Sequence, residues 1–393
     1  MLKLLIITNR FVIGGPAFHV ADLAFQLQDD FDILIIGGEA GKGEETNREM
    51  FSKLKTEPLV IDGFSRKTNF FKDWKSYKKI RQVIRDFQPD IVHTHTSKPG
   101  FLGRMAAKRM GVKVIVHSYH GNLFEGYFNP LVTKAIIKLE KFLAKRSSAL
   151  IALSAQQKKV LSLHGITAPE KIKVVYPGID KSRLQISEDS GLKFRKKYSL
   201  WEEDIVVAIV GRLVEIKNIR LFIDGIKYLS DKGMRNVRGM IVGDGPEKRK
   251  LKEYSWSQKL GTIEFITSIK AAPLIFTSWC RDISFLYSAV DILVLTSRNE
   301  GTPYSLIEAQ ASGIPIVAAD VGGVSDIVDK NNSAYLFNTR EEFFSHLESL
   351  VMDVELRKTM GVKGREYASQ RFESHVMAEE TKKIYLDLIQ GIK

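Results

Sequence analysis

The stretch Asp291-Ile292-Leu293-Val294-Leu295-Thr296-Ser297-Arg298-Asn299-Glu300-Gly301-Thr302-Pro303-Tyr304-Ser305-Leu306-Ile307-Glu308 reads as a strand, a loop and the opening of a helix. The apolar run from Ile292 to Leu295 is short and β-branched, as in a strand buried on both faces. Thr302 is placed to cap the helix, and Pro303 suits its first turn. Glu300 then lies on the loop at the strand's carboxyl end, and Glu308 about one turn inside the helix. The free amides of the first turn lie between the two carboxylates and favour an anion. Carboxylates accept bonds from sugar hydroxyls, and amides hold phosphate. The arrangement fits a diphosphate flanked by hydroxyl-bearing rings, as in a nucleotide sugar.

The same strand-then-helix unit recurs on both sides. Upstream, strands are expected at Leu2–Thr8, Asp32–Ile36, Asp90–His93, Lys113–His117, Ala149–Leu153 and Lys171–Val175, with helices such as Ala17–Gln28 and Lys72–Phe87 between them. A second series follows at Ile205–Val210, Arg238–Val242, Leu274–Thr277, Asp291–Leu295, Ile314–Ala318 and Ala334–Phe337. Such alternation predicts α/β architecture: parallel sheets covered by helices on both faces. The 393 residues suffice for two domains. The polar, weakly patterned stretch Lys181–Trp201 is the expected linker, which divides the chain into 1–182 and 200–370. Val354–Ile392 is helical by composition. Ligands of doubly wound domains sit at strand carboxyl ends.

Composition narrows the classes of function. A single cysteine, Cys280, excludes an internal disulfide and a cysteine-based zinc site. No apolar run approaches the roughly 20 residues of a membrane span. Met1–Thr8 reads as a buried strand and not as a leader, so the expected location is the cytoplasm. The net charge of +13 is uneven: residues 1–180 carry +11 and the remainder +2. A basic first half implies an anionic partner. Residues 66–85 hold Arg66, Lys67, Lys72, Lys75, Lys78, Lys79, Arg81 and Arg85 among Phe70, Phe71, Trp74 and Tyr77. Lys134, Lys138, Lys141 and Lys145 share one face of a helix whose other face carries Val132, Ile136, Leu139 and Leu143. Such a helix suits an anionic leaflet or, more blandly, a core-packed helix with a solvated basic face. No nucleic-acid motif accompanies the charge.

Other motifs lie at strand ends. Gly14-Gly15-Pro16-Ala17-Phe18-His19 lets backbone approach a ligand, but it lacks the third glycine of the dinucleotide fingerprint. In Gly211-Arg212-Leu213-Val214-Glu215-Ile216-Lys217-Asn218, an arginine and a lysine can both reach one diphosphate. Gly243-Asp244-Gly245-Pro246 is a turn signal and reads as architecture. His93 and His95, then His117 and His120, cluster at two strand ends. Structural histidines are the plain account of His93, His95 and His117. A His-x-His pair also opens the metal site of the amidohydrolase barrels, but there the glycine loop and the Gly-Arg-Leu segment would have no role.

Together these segments resemble the retaining glycosyltransferases of family 4, from Gly14 to about Asp329 and most strongly from Arg281 to Asp329, including Ala318-Ala319-Asp320-Val321-Gly322-Gly323. The resemblance implies a GT-B fold, two doubly wound Rossmann-like domains facing across a cleft, with acceptor bound by the first, nucleotide sugar by the second, and residues 371–393 crossing back to the first. It implies catalytic roles for Arg212, Lys217, His120 and Glu300. Donor binding would fall to Gly14, Gly15, Gly211, Arg281, Gly301, Thr302, Pro303, Tyr304, Ser305, Leu306 and Glu308, with Glu300 on the sugar and Glu308 on the ribose. Thr277-Ser278-Trp279-Cys280-Arg281-Asp282 matches the loop that faces the nucleobase. His19, His95 and Lys98 would lie on the acceptor side. The family implies no metal and no cofactor. The His95-Thr96-Ser97-Lys98-Pro99-Gly100 and His120-Gly121-Asn122-Leu123-Phe124-Glu125-Gly126-Tyr127-Phe128 segments look like transferases that build bacterial surface polysaccharides. The expected donor is a UDP-sugar. The expected acceptor is a lipid-linked or lipopolysaccharide glycan at the inner face of the membrane, with anionic membrane and no nucleic acid as partner. An epimerase or phosphorylase of the same fold, or a basic binding protein with a vestigial site, are the alternatives.

Overall fold

The computed structural model describes every residue except 42–45, 47, 65–68, 122, 123, 125–128, 264–271, 392 and 393. The chain forms two compact units, Met1–Ile179 with Phe372–Lys393, and Asp180–Arg371. The first unit runs β1 (Leu2–Arg10), α1 (Gly15–Leu27), β2 (Phe31–Gly38), β3 (Leu59–Val60), α2 (Phe70–Phe87), β4 (Ile91–His95), α3 (Ser97–Arg109), β5 (Val114–Tyr119), α4 (Pro130–Ala144), β6 (Ala149–Ala152), α5 (Ala155–Leu163) and β7 (Ile172–Val174). All its strands are parallel, in the order β3-β2-β1-β4-β5-β6-β7.

Both faces of that sheet are buried, which explains the unbroken apolar runs. Along β1, Leu4 and Ile6 enter one core with Val20, Leu23 and Leu27 of α1, while Leu5 and Ile7 enter the other with Ile80, Val83 and Ile84 of α2. Helix α2 starts where the Asn69 side chain accepts from the Lys72 amide at 3.1 Å. It stops at Gln88, left-handed at φ 52°, just before Pro89. Asn129 caps α4 in the same way, with Pro130 at the first helical position. The buried Arg104 of α3 donates to Glu140 of α4 at 2.9 and 3.1 Å, and the Tyr119 hydroxyl donates to Glu140 at 2.7 Å. This fastens the two helices side by side.

The second unit begins with α6 (Glu188–Lys197) and continues through β8 (Ile205–Val210), α7 (Ile219–Asp231), β9 (Val237–Val242), α8 (Lys248–Ser257), β10 (Thr262–Ile263), β11 (Leu274–Ser278), α9 (Ile283–Tyr287), β12 (Ile292–Leu295), α10 (Tyr304–Ala311), β13 (Ile316–Ala319), β14 (Ala334–Phe337), α11 (Arg340–Met352) and α12 (Val354–Arg371). Its parallel sheet has the order β10-β11-β9-β8-β12-β13-β14. The last helix, α13 (Ser374–Gln390), belongs to the first unit, where Met377, Ala378 and Tyr385 join the α1 core.

In each sheet the chain leaves two adjacent strands in opposite directions: β1 and β4 in the first, β8 and β12 in the second. The carboxyl ends of such a pair form the crevice in which open α/β sheets bind ligands. Four segments marked in the sequence occupy these ends: the Gly14-Gly15 loop, His95-Thr96, Gly211–Lys217 and Ser297–Thr302. An open seven-stranded sheet around His93 and His95 leaves no place for a barrel metal site.

Two expectations are corrected, at Lys181–Trp201 and at Thr302. The stretch Lys181–Trp201 is no linker but a 3-10 turn at Lys181–Arg183 and the helix α6, inside the second unit. Ser187 caps α6, Phe194 buries against the unit, and Gly191 lies so close to the Ser288 carbonyl that a side chain there would collide. Two contacts on one short helix are too few to show as periodicity. Beyond Val354 the described chain is helical, as expected, in α12 and α13, parted at Phe372, which is fully buried; its carbonyl accepts from Ile179 at 2.8 Å, and the Ser374 amide donates to Ile179 at 3.1 Å. At the paired glutamates, Pro303 is the cap residue, at φ −68° and ψ 114°, and makes no side-chain cap. Thr302 therefore lies one residue outside and does not cap α10.

Candidate functional site

In the second unit the loops after β8 and β12 are stitched together. The Thr296 hydroxyl donates to the Lys217 and Asn218 carbonyls at 3.0 and 3.1 Å, and the Arg298 amide donates to Ile216 at 2.8 Å. Asn218, left-handed at φ 49°, turns the chain from this loop into α7. Lys217 is thereby held against Glu300, Nζ to Oε1 at 2.6 Å, and the Ser297 hydroxyl donates to the same oxygen at 2.5 Å. Both partners are largely buried, so this pair keeps more of its Coulomb energy than a surface pair. Arg212 sits partly exposed on the same loop, directly after Gly211.

Two glycines make this geometry possible. Gly322 is left-handed at φ 55°, and a Cβ there would strike the Glu300 carbonyl oxygen. Gly243, at φ 129°, abuts the Gly211 carbonyl. Asp244 accepts from Ser278 at 2.6 Å and from Lys248 at 3.1 Å. Gly243-Asp244-Gly245 thus serves as scaffold beneath the Gly211 loop, in keeping with its reading as architecture.

Glu308 is buried on α10 and accepts from the Tyr287 hydroxyl at 2.9 Å. Burial raises its pKa, against the pull of Arg183 and the Tyr287 bond. Burial also pushes the Tyr287 phenol well above its ordinary range, so it stays a donor. Tyr304 and Ser305 open α10. Leu306 adds little for a ligand, because its side chain is fully buried and its amide donates to Pro303 at 3.1 Å. Gly301 and Thr302 lie in the loop between Glu300 and the helix. Arg281 is exposed on the loop after β11. Nearby Cys280 has its thiol pushed up to about 11 by burial, which leaves it protonated and inert.

In the first unit His19, His93, His95 and His120 form one group of neighbouring rings. His93 and His95 lie two apart on β4 and so share a face, the one covered by α1 and α13. His93 meets the Tyr385 hydroxyl at 2.5 Å through Nδ1 and the Ser118 hydroxyl at 2.8 Å through Nε2. Its ring lies 4.0 Å from that of His95, tilted by 40°. His95 Nδ1 faces His120 Nε2 at 2.9 Å, and His19 of α1 meets the His120 ring edge-on at 4.9 Å. Among the described residues, His19, His95 and His120 are the group whose ligand atoms converge closely enough for a metal ion. His117 faces away, bonded to Thr94 at 2.9 Å. Pro16, Ser97 and His120 line a cavity of about 240 Å³ at this edge.

His19, His95 and His120 are therefore brought together. Gly14 and Gly15 open α1, and Gly14, at φ 160°, is simply extended. Lys98 binds Asp73 of α2 at 2.8 Å, both side chains mostly buried. Parts of two marked segments, Arg66-Lys67 and the residues flanking Phe124, lie outside the described residues. Sequence reasoning missed Tyr287, Arg183, Ser297 and Tyr385. Tyr287 is 21 residues from Glu308 and Tyr385 is 292 from His93. Only Ser297 was visible, as a hydroxyl three residues from Glu300.

Two family descriptions match the chain: Glycosyltransferase Family 4 over residues 13–183, and Glycosyl transferases group 1 over residues 192–367. Among curated proteins it is similar to the UDP-Gal:alpha-D-GlcNAc-diphosphoundecaprenol alpha-1,3-galactosyltransferase of Escherichia coli, 28% identical over 92% of this chain and 90% of that one. It is also similar to the capsular polysaccharide biosynthesis glycosyltransferase CapM of Staphylococcus aureus, 26% identical over 80% of this chain and 81% of that one. Among solved structures, Anabaena HepE in complex with UDP-glucose superposes with a TM-score of 0.82 at 20% identity, covering 98% of this chain and all of that one.

Proposed function

The chain belongs to glycosyltransferase family 4 and has its GT-B fold, and from that premise we propose that it is a retaining hexosyltransferase or N-acetylhexosaminyltransferase using a UDP-sugar. The observation that carries the proposal is the pair of carboxylates held on either side of the α10 amino terminus. Lys217 and Ser297 fix Glu300, and Tyr287 fixes Glu308. Both bonds to Glu300 go to Oε1, which turns Oε2 to a sugar hydroxyl. Glu308 takes the ribose hydroxyls, and the first amides of α10 meet the diphosphate. His120 is assigned to the donor sugar.

In the proposed reaction the acceptor hydroxyl attacks the anomeric carbon on the face the diphosphate leaves. The C1–O bond to the β-phosphate breaks, and a phosphate oxygen takes the acceptor's proton. Arg212 and Lys217 stabilise the charge that develops on the leaving UDP. Two cations serve where other transferases place a metal, so transfer is expected to proceed in chelator.

The curated relatives that act on lipid-linked or capsular glycans support a lipid-linked acceptor. The surface of the first unit supports it too. Helices α2, α3 and α4 each follow a strand of one parallel sheet, so their amino termini share its carboxyl edge. At that edge Phe70 (78% exposed), Phe71 (82%), Trp74 (50%) and Leu131 (79%) face solvent, with Lys72, Lys75, Lys78 and Lys134 exposed beside them. Aromatic rings among cations suit an anionic lipid surface. No helix among the described residues is long and apolar enough to cross a membrane. Phe70→Ser with Phe71→Ser is expected to lower binding to vesicles containing about one-third phosphatidylglycerol by roughly tenfold or more, and added salt to weaken the wild type. Equal binding by variant and wild type would remove this surface from the proposal.

The donor reading is tested by thermal shift with UDP, GDP and ADP in chelator. UDP is expected to raise the midpoint of the wild type, and Glu308→Ala to abolish the rise. No shift with any nucleotide would overturn the reading. Formation of an isomeric nucleotide sugar without acceptor would favour an epimerase.

A further inference from the structure

Three imidazoles converge in the first unit with more ligand capacity than the transfer reaction uses. One nitrogen from each of His19, His95 and His120 lies within 4.8 Å of the others. His95 and His120 already face one another at 2.9 Å, sharing one proton between two ring nitrogens. The other nitrogen of His95, Nε2, is buried with no partner among the described residues, so no second hydrogen bond fixes its tautomer. His95 can therefore carry its proton on Nε2 and turn the Nδ1 lone pair to whatever lies between the rings. The three rings come from α1, the end of β4 and the residue after β5, elements fixed by the core, so the cluster is preorganised.

We propose that His19, His95 and His120 form a three-histidine site for a divalent transition-metal ion of the zinc class, which occupies His120 and so competes with the donor sugar. The ligand chemistry selects the ion: three neutral nitrogens and no carboxylate in the group favour Zn²⁺, Co²⁺ or Ni²⁺ over Mg²⁺ or Ca²⁺. Burial keeps all three rings in the neutral form that ligates. With the shared proton moved to the outer nitrogen of its ring, an ion between the two inner nitrogens would widen the His95–His120 separation to roughly 3.3 Å, the spacing of tetrahedral nitrogens about 2.0 Å from zinc. The cavity beside His120 leaves room for a water as fourth ligand. His93 backs the site, its ring against His95 and both its nitrogens engaged. Resting on the role proposed above for His120, the ion would be inhibitory, because that ring cannot hold the ion and the sugar together.

The test uses the full chain, stripped with chelator and returned to chelator-free buffer. Co²⁺ titration followed by visible absorption is expected to show one ion per chain with bands of a low-coordinate nitrogen site, and Zn²⁺ is expected to displace it. His95→Gln and His19→Gln should each weaken Co²⁺ at least about tenfold, and exposed His375→Gln should leave it unchanged. If His95→Gln does not fold, as judged by circular dichroism, His120→Gln at the partly exposed member reads the same loss. Absence of the bands in the wild type, or their persistence in the trio variants, would overturn the site. The spectrum does not depend on transfer, so it stands even if the assigned sugar chemistry fails.

Discussion

Lys217→Ala is expected to lower kcat for sugar transfer by about 10²–10³, with a much smaller change in donor KM. The ammonium is held at 2.6 Å from Glu300 before any donor arrives, so its position needs no reorganisation when charge develops on the leaving diphosphate. Alanine removes that cation and also leaves Glu300 largely buried, with the Ser297 hydroxyl still donating to it. The fold should survive, because the loop is held by the Thr296 and Arg298 bonds, which use Ile216, Lys217 and Asn218 only through their backbone. Lys217→Arg should not restore the rate, since a planar fork does not fit where a point charge meets one carboxylate oxygen. Steady-state kinetics with saturating acceptor decide the matter. An unchanged kcat would move Lys217 from chemistry to the support of Glu300.

A steep loss of stability is expected below about pH 6.5, confined to the first unit. Burial holds His19 down to about 4 and His93 to about 3, and keeps His95, His117 and His120 well below the ordinary range. In the unfolded chain these rings titrate near 6.5. Between those limits the unfolded state binds protons that the native state refuses, so stability is full above about pH 6.5 and falls as pH drops toward 4. Each ring contributes up to about 1.4 kcal/mol per pH unit. Against a typical total of about 5–15 kcal/mol, several such rings suffice to unfold the unit before pH 4. Glu308 works the other way, since burial raises its pKa and protonation relieves a buried charge. Hydrogen exchange at pH 7, 6 and 5 reads the two units separately. Uniform protection across that range in residues 90–120 would show that the native histidines already carry protons.

Much of the fold was legible because its strands are buried on both faces and announce themselves as apolar runs. Ile205–Val210 and Ala334–Phe337 match the expected bounds, and the other ten strands differ at their ends by a few residues. Leu59–Val60 and Thr262–Ile263 escaped notice because two-residue edge strands carry no pattern. Helix α6 escaped because its buried face is a glycine and one phenylalanine. Within the site, the glutamates and the Gly-Arg-Leu…Lys loop were visible as chemistry at strand ends. The partners that position them were not: Tyr287 reads as an ordinary core aromatic until the fold brings its hydroxyl to Glu308. The histidines show the same limit. Their burial was foreseeable from the strand, but their convergence with His19 depends on how α1 lies on the sheet.

The return of α13 to the first unit has a consequence for how the protein is made. The ribosome completes residues 1–179 of that unit, then must extrude all of the second before Tyr385 emerges to meet His93 and fill the core beside Phe31. At about 5–20 residues per second the delay is roughly 10–40 s. For that interval the sheet exists with an apolar face uncovered where Met377, Ala378 and Tyr385 will lie. The first unit is thus completed last, while the second, contiguous in the chain, needs no later residue.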